Sequence, residues 1–458
     1  MNFASHLENF GDQTALILAD GSALSYLELA ALADALYTRP NAPTDQRALL
    51  AVECENTLAA VTAYLGALRN NFPILMVDAG LSNELRERLY THFNVHSVWS
   101  AAGVWRRRQC QSPEVHADLA VLLSTSGSMG AIKQVKLTLA NLQANAVSIA
   151  HYLELDGNER PITTLPIHYS YGLSVLNSHL AVGATLLLTA EPVTTRSFWD
   201  YFRAHEATSL AGVPTLYTML RTLRFERMAL PSLRTMTQAG GALQSDQAAW
   251  FGALAQSRGQ RFFVMYGQTE ASARISYLPS ERLLEKIGSI GLPIPGGRIE
   301  LVAEDGSVIG KSGVAGELRY YGANVMMGYA ENAGDLAIPD TQNGVLLTGD
   351  LAKRDDDGYF YLLGRLKRFI KVFGNRIGLD EVEQQLKSKG FNVAVTGRDD
   401  LLLIALNGSQ SDLAALQADL PTWYRLHHSA IRIVPVASFP LSSSGKIQYA
   451  DLLKQLAP

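Results

Sequence analysis

Residues 123–134, "LSTSGSMGAIKQ", hold four hydroxyl side chains, two glycines and one lysine directly after the apolar run "LAVLL". Backbone N–H groups of a glycine- and hydroxyl-rich turn can converge on an anion, glycine permits the dihedrals this needs, and lysine adds a point charge. The segment therefore reads as a phosphate-holding loop, with Ser124, Thr125, Ser126, Gly127, Ser128, Gly130 and Lys133 as its members. It does not match the P-loop pattern GxxxxGK[ST], because Ile132 stands where the second glycine belongs and Gln134 follows Lys133. Taken alone, such residues more often form a plain polar turn than a nucleotide site.

Three downstream segments add to it. "MYGQTEAS" (265–272) sets Thr269 beside Glu270 in a turn after the apolar "FFV", which suits a hydrogen bond to a phosphate oxygen and Mg²⁺ ligation through oxygen. "LLTGDLAKRDDDGYFYLLGR" (346–365) offers Asp350 after a strand, suited to bidentate hydrogen bonds with ribose hydroxyls, and its "RDDDGY" reads as a solvated hairpin turn. "PLSSSGKI" (440–447) presents Lys446 on a glycine-containing turn.

These residues need a scaffold, and the chain supplies one. From about 45 to 190, short apolar runs alternate with helix-like stretches ("RALLAVEC", "TLAAVTAYLGALRN", "PILMVD", "LSNELRERLYTHF"), and the rhythm continues to about 225. That pattern predicts βαβ units around a mostly parallel sheet, hence an α/β protein. Around 298–330 the texture becomes short glycine-punctuated strands, read as hairpins. The last 90 or so residues hold the helix "LDEVEQQLKSKG" and the strands "LLLIAL" and "AIRIVPV". A domain boundary is expected at 364–367, giving domains 1–364 and 365–458.

A chain of 458 residues with 47% apolar content is long enough for two or more cores. With 39 basic against 43 acidic side chains, it has no global attraction for nucleic acid. It lacks the roughly 18 uninterrupted apolar residues of a membrane span, and its start shows no basic-then-apolar leader, so a cytoplasmic protein is expected. Cys54 and Cys110 have neither CxxC spacing nor a histidine cluster, so no zinc site or disulfide framework is suggested.

With these motifs in order, the chain resembles the AMP-forming adenylating enzymes: acyl-CoA synthetases, acyl-AMP ligases, peptide-synthetase adenylation domains and luciferase. The resemblance runs from "DGSALSYLEL" (20–29) to "SGKIQYADL" (443–451). It implies a large multi-subdomain N-terminal α/β domain and a small mobile α+β C-terminal domain, with the active site between them. In that family the loop 124–133 contacts the β- and γ-phosphates of ATP. Gly240, Gly241 and Ala242 match the stretch on which adenine lies, with Tyr266, Gly267 and Gln268 beside it; Thr269 holds phosphate and Glu270 the Mg²⁺. Asp350 and Arg365 match the ribose pair, Lys446 the adenylation lysine and Lys367 the hinge. His168, Tyr169, Tyr171, Gly172, Gly240 and Arg274 fall where relatives line the acyl pocket. The catalytic set implied is Lys446, Thr269, Glu270 and Lys133.

The reaction implied is ATP-dependent conversion of a carboxylic acid to an acyl-adenylate with release of pyrophosphate. A thiol, CoA or a carrier protein's phosphopantetheine, then takes the acyl group and AMP leaves. Transfer to an amine and a catalytically silent binding protein are the alternatives. Met129, Ile132 and Gln134 depart from the family loop, and their effect is expected first in ATP affinity. "PIHYSYGL" has no acidic residue to pair with an α-amino group, which disfavours an amino-acid substrate. Arg274 either meets a carboxylate of the protein, the reading the residues favour, or recognises an anionic or polar group of the substrate.

Overall fold

The computed structural model describes residues 2–38, 42–43, 47–124, 133–366, 368–372, 375–424, 426–442 and 445–456. The expected loop members Thr125, Ser126, Gly127, Ser128 and Gly130, with Met129 and Ile132, lie outside the described residues, as does Lys367. The chain packs as two compact units: Met1–Ile287 with Gly291–Arg298 and Tyr320–Leu346, and Gly288–Ile290 with Ile299–Arg319 and Leu347–Pro458.

Two sheets organise the first unit. In a nine-stranded sheet the strands Pro161–Ile162, Ser209–Gly212, Thr235–Gln238 and Arg261–Tyr266 lie side by side and parallel. Thr235–Gln238 is buried along its whole length, as expected of a strand with both faces covered. Antiparallel strands close the edge beyond Arg261–Tyr266: Ser276–Leu278, then Leu292–Pro293. A seven-stranded sheet has Leu119–Ser124, Ile74–Asp78, Leu50–Cys54 and Ser97–Trp99 as its parallel centre. Gln134–Thr138 pairs antiparallel with Leu119–Ser124, and Gly328–Ala330 pairs with Gln134–Thr138 on the other side. This is the βαβ architecture expected from the alternation of apolar runs and helices.

The helices start where the sequence offers caps. Thr57 accepts from the Ala60 N–H ahead of Leu58–Arg69, and Thr138 forms a capping box with Asn141 ahead of Leu139–Tyr152. Helix Ser170–Leu180 is buried at ten of its eleven positions, so it is held by packing on all sides rather than by amphipathicity.

Strands Arg298–Val302, Gly316–Tyr321, Val345–Arg354 and Phe360–Arg365, most of whose residues belong to the second unit, neighbour one another in that order. Asp355 Oδ1 accepts from the N–H groups of Asp357 and Tyr359, closing the hairpin turn that "RDDDGY" predicts. A second, three-stranded sheet (Val393–Arg398, Leu401–Leu406, Ile431–Pro435) packs one face on helix Leu379–Ser388, through Val395, Ile404 and Leu386, and the other on helix Tyr449–Leu456, through Leu403, Leu452 and Leu456. The boundary expected at 364–367 lies inside this unit. Among the described residues no helix is long and apolar enough to cross a membrane.

His179 is a core residue of helix Ser170–Leu180, its Nδ1 2.8 Å from the Val175 carbonyl oxygen and its Nε2 without a partner among the described residues. Burial pushes its pKa down to about 4. The unfolded chain therefore binds a proton between about pH 6.5 and 4 that the folded chain refuses, so stability is full above 6.5 and falls as pH drops toward 4, by about 3 kcal/mol at the limit. Thermal melts across this range should slope more steeply for the wild type than for His179→Gln; equal slopes would contradict this assignment.

Candidate active site

The site grows from the loop between strands Arg261–Tyr266 and Ser276–Leu278, which pair with Tyr266 opposite Ser276. Residues Thr269–Ala271 make a single 3₁₀ turn, followed by Ser272 at φ 51° and Ala273 at φ 108°. Two successive non-glycine residues with positive φ cost on the order of 1–3 kcal/mol each and need outside support. Asn324 supplies it: its buried amide donates to the Ala271 and Arg274 carbonyls, both at 2.7 Å, and accepts from the Tyr320 hydroxyl at 2.9 Å. The Ser272 hydroxyl donates to the Asn324 carbonyl, and the Met326 N–H to the Glu270 carbonyl.

Glu270 and Lys133 meet on one phenol. Tyr329 donates its hydroxyl to Glu270 Oε1 at 2.9 Å, and Lys133 Nζ stands 3.6 Å from the centre of the Tyr329 ring. Strand register explains this. Tyr329 pairs with Val135 and Ala330 with Gln134, so Lys133, two residues before Val135, falls on the same face as Tyr329. The same register brings Glu331 to Lys133, Oε1 to Nζ 3.7 Å. Gln134, expected in the loop, is a buried strand residue whose Oε1 accepts from the Ser124 hydroxyl at 3.1 Å.

The residues expected around adenine cluster at the carboxyl ends of parallel strands, where α/β sheets bind ligands. Gly240 (φ 84°), Gly241 and Ala242 follow Thr235–Gln238, with the last two exposed, and the Gln238 amide donates to the Gly241 carbonyl. Tyr266 ends the neighbouring strand, and the Gln268 amide lies 3.3 Å from its hydroxyl. A Cβ on Gly267 would stand 1.7 Å from the Ala273 carbonyl oxygen, so glycine is required there.

Of the expected acyl-pocket residues, Tyr171 and Gly172 lie in helix Ser170–Leu180, and Tyr169 is its N-cap residue. The Tyr171 hydroxyl donates to the Thr237 carbonyl at 2.9 Å, and Gly172 packs against the carbonyls of Leu165 and Pro166. The Ser170 hydroxyl is 3.2 Å from that of Thr269. His168 Nε2 is 3.6 Å from Asp78 Oδ2, and burial pushes its pKa down, partly offset by that carboxylate. Arg274 is 2% exposed, and among the described residues no carboxylate forms an ion pair with it, which corrects the protein salt bridge favoured from sequence.

In the second unit, Asp350 and Arg365 are register partners, with Arg365 Nε 3.1 Å from Asp350 Oδ1. Asp350 is buried while Arg365 is exposed, and the Arg365 N–H donates to Asp380 Oδ2. Leu441 and Ile447 form a bridge, the Lys446 N–H donates to the Ser442 hydroxyl, and Gly445 adopts φ 75°, so Lys446 stands at the base of a tight turn.

A divalent cation with a phosphate chain needs only one or two protein carboxylates, the rest of its shell being phosphate and water. Glu270 fits that demand: Oε1 takes the Tyr329 hydroxyl, and Oε2 makes no hydrogen bond among the described residues. Among those residues there is no cluster of three or more potential metal ligands that would call for an all-protein cage.

Comparison with known proteins gives this arrangement its class. The signature of a family described as AMP-binding enzymes matches residues 84–330, just over half of the chain. The chain is 30% identical over 356 residues to a feruloyl-CoA synthase of Amycolatopsis sp, covering 74% of this chain and 70% of that one. It is also 30% identical over 368 residues to a long-chain-fatty-acid–CoA ligase of Salmonella typhimurium, covering 76% and 63%. Among solved structures, the o-succinylbenzoate coenzyme A synthetase of Bacillus subtilis in complex with AMP superimposes with a TM-score of 0.80 at 22% identity over 98% of both chains. The fold is that of the adenylating enzymes. The chain belongs to the AMP-binding enzyme family.

Tyr329, Asn324 and Glu331 were not singled out from the sequence. Their contacts are long-range, 59 residues between Tyr329 and Glu270 and 198 between Glu331 and Lys133, and no local pattern announces them. Tyr329→Phe keeps the ring under Lys133 and removes the bond to Glu270. A hydrogen bond to a charged group is worth about 1.5–3 kcal/mol, so half-saturation with Mg·ATP should rise about tenfold or more at unchanged melting temperature; an unchanged titration would refute the link. Asn324→Ala strands two buried carbonyls and should cost about 2–4 kcal/mol of stability by chemical denaturation.

Proposed function

We propose that the protein is an AMP-forming acid–thiol ligase. It converts a small carboxylic acid and ATP to an acyl-adenylate and pyrophosphate, then transfers the acyl group to CoA and releases AMP. The observation that carries this reading is the contact of Lys133 and Glu270 through Tyr329 in a chain of the AMP-binding family. The names of the similar feruloyl-CoA synthase and long-chain-fatty-acid–CoA ligase support a thiol acceptor over an amine.

Attack by a carboxylate oxygen on the α-phosphorus brings two anions together, and positive charge must offset that repulsion. Mg²⁺, when bound, supplies Lewis-acid screening of the phosphates. Glu270 would hold it, and Tyr329 fixes the carboxylate in place. Lys133, the hydroxyls of Ser124, Thr125, Ser126, Ser128 and Thr269, and the loop glycines Gly127 and Gly130 hold the phosphates that leave. Tyr266 stacks on adenine over Gly240–Ala242, with Gly267 and Gln268 at its edge, and Asp350 with Arg365 takes the ribose hydroxyls. His168, Tyr169, Tyr171, Gly172, Gly240 and Arg274 line the acyl pocket. Lys446 neutralises the carboxylate and the α-phosphate during adenylation, and Lys367 is the hinge about which the C-terminal part (365–458) turns between the half-reactions. Both cysteines are free thiols, which fits a reducing cytoplasm.

The test incubates the protein with Mg·ATP and a panel of carboxylic acids, traps adenylates with hydroxylamine, and then adds CoA, a phosphopantetheinylated carrier protein or an amine separately. AMP formation with CoA is expected; AMP only with carrier protein or only with amine would reassign the acceptor, and no adenylate together with no ATP binding would leave a silent binding protein. Lys446→Ala should abolish pyrophosphate release, while thioester formation from a supplied acyl-adenylate survives. Equal loss of both half-reactions would contradict the role given to Lys446.

A further inference from the structure

We propose that Arg274 selects the acid: besides the carboxylate that is activated, the substrate carries a second carboxylate, which seats on this guanidinium. The inference rests on the adenylating activity proposed above and names its substrate class.

Arg274 is almost completely enclosed, at 2% exposure. Its guanidinium carbon lies 4.1 Å from the centre of the Tyr171 ring, Nη1 donates to the Ala273 carbonyl at a long 3.4 Å, and the group reaches the Tyr152 hydroxyl. Among the described residues Nε has no hydrogen-bond partner. Each neighbour is neutral, because burial pushes the phenols of Tyr152, Tyr169 and Tyr171 upward and keeps them protonated. Among the described residues no carboxylate ion-pairs with Arg274.

An isolated buried cation is strongly unfavourable, and proteins keep such a charge when a partner offsets it. This one is rigidly presented. Its carbonyl is gripped by Asn324 at 2.7 Å, and a Cβ on Gly267 would lie 2.9 Å from its Cα. The aromatic face beneath it is anchored too, since the Tyr171 hydroxyl bonds Thr237. The group is also well placed. Tyr171 is next in sequence to Ser170, whose hydroxyl touches Thr269, and Glu270 lies four residues before Arg274 in the same loop. A planar guanidinium offers parallel N–H donors that match the two oxygens of a carboxylate.

The experiment measures pyrophosphate release from Mg·ATP with a series of aliphatic and aromatic dicarboxylic acids, each beside its own monomethyl ester. For at least one diacid, kcat/KM should exceed that of its half-ester by about 100-fold or more, the scale of a desolvated charged pair. Arg274→Gln should reduce that preference to within about tenfold, mainly through KM for the diacid. Arg274→Met, which removes the buried charge at similar volume, should melt at or above the wild-type temperature. Half-esters or monocarboxylates turned over as well as every diacid would overturn the role of Arg274 alone. Silence with every acid would overturn the adenylating activity and this inference with it. A fall in melting temperature for Arg274→Met with equal loss on all acids would show a structural arginine and also overturn the inference.

Discussion

The carbonyl oxygen of Ala273 occupies the space that any side chain at residue 267 would need, 1.7 Å from an added Cβ. That close approach folds the loop tightly enough to carry Glu270 near its tip and Arg274 at its base. It also forces Ser272 and Ala273 to positive φ, which the loop would not hold alone. Asn324 braces it at both ends, and the Met326 N–H pins the Glu270 carbonyl. The segment around Asn324–Ala330 therefore does two jobs, because four residues beyond Asn324 it forms the edge strand that brings Tyr329 to Lys133 and Glu270.

The chemistry is a problem of like charges. Joining a carboxylate to a polyphosphate requires cations at defined points, and a low-dielectric setting makes each of them count for more. Lys133 lies on a ring face with Glu331 nearby, which holds it in place. Arg274 differs in that no carboxylate among the described residues ion-pairs with it. A protein that maintains such a charge gives up stability for it, and an anionic ligand is the simplest compensation.

Much of the scaffold was legible in the sequence. Alternating apolar runs and helical stretches foretold the parallel sheets, and "RDDDGY" foretold the turn at Asp355. "LDEVEQQLKSKG" appears as helix Leu379–Ser388, and "LLLIAL" as strand Leu401–Leu406. The motif residues were recognisable because spacing within a motif is local. What escaped was long-range pairing: the Tyr329–Glu270 bond and the Asn324 brace depend on strand register and loop closure, which no window of neighbouring residues encodes. The sequence points to Arg274 but not to its environment. A lone arginine usually finds a carboxylate, and only the tertiary packing reveals a box of phenols instead. The sequence places Gln134 in the loop, whereas strand pairing with Ser124 and Ala330 sets it in the sheet.

Reversible formation of an acyl-adenylate is the claim on which the rest stands, and isotope exchange reads it without any acceptor. Labelled pyrophosphate should enter ATP only when Mg²⁺ and a suitable carboxylic acid are both present, and CoA should not be required. Exchange that ignores the acid, or cleavage of ATP to ADP and phosphate in place of exchange, would contradict the account.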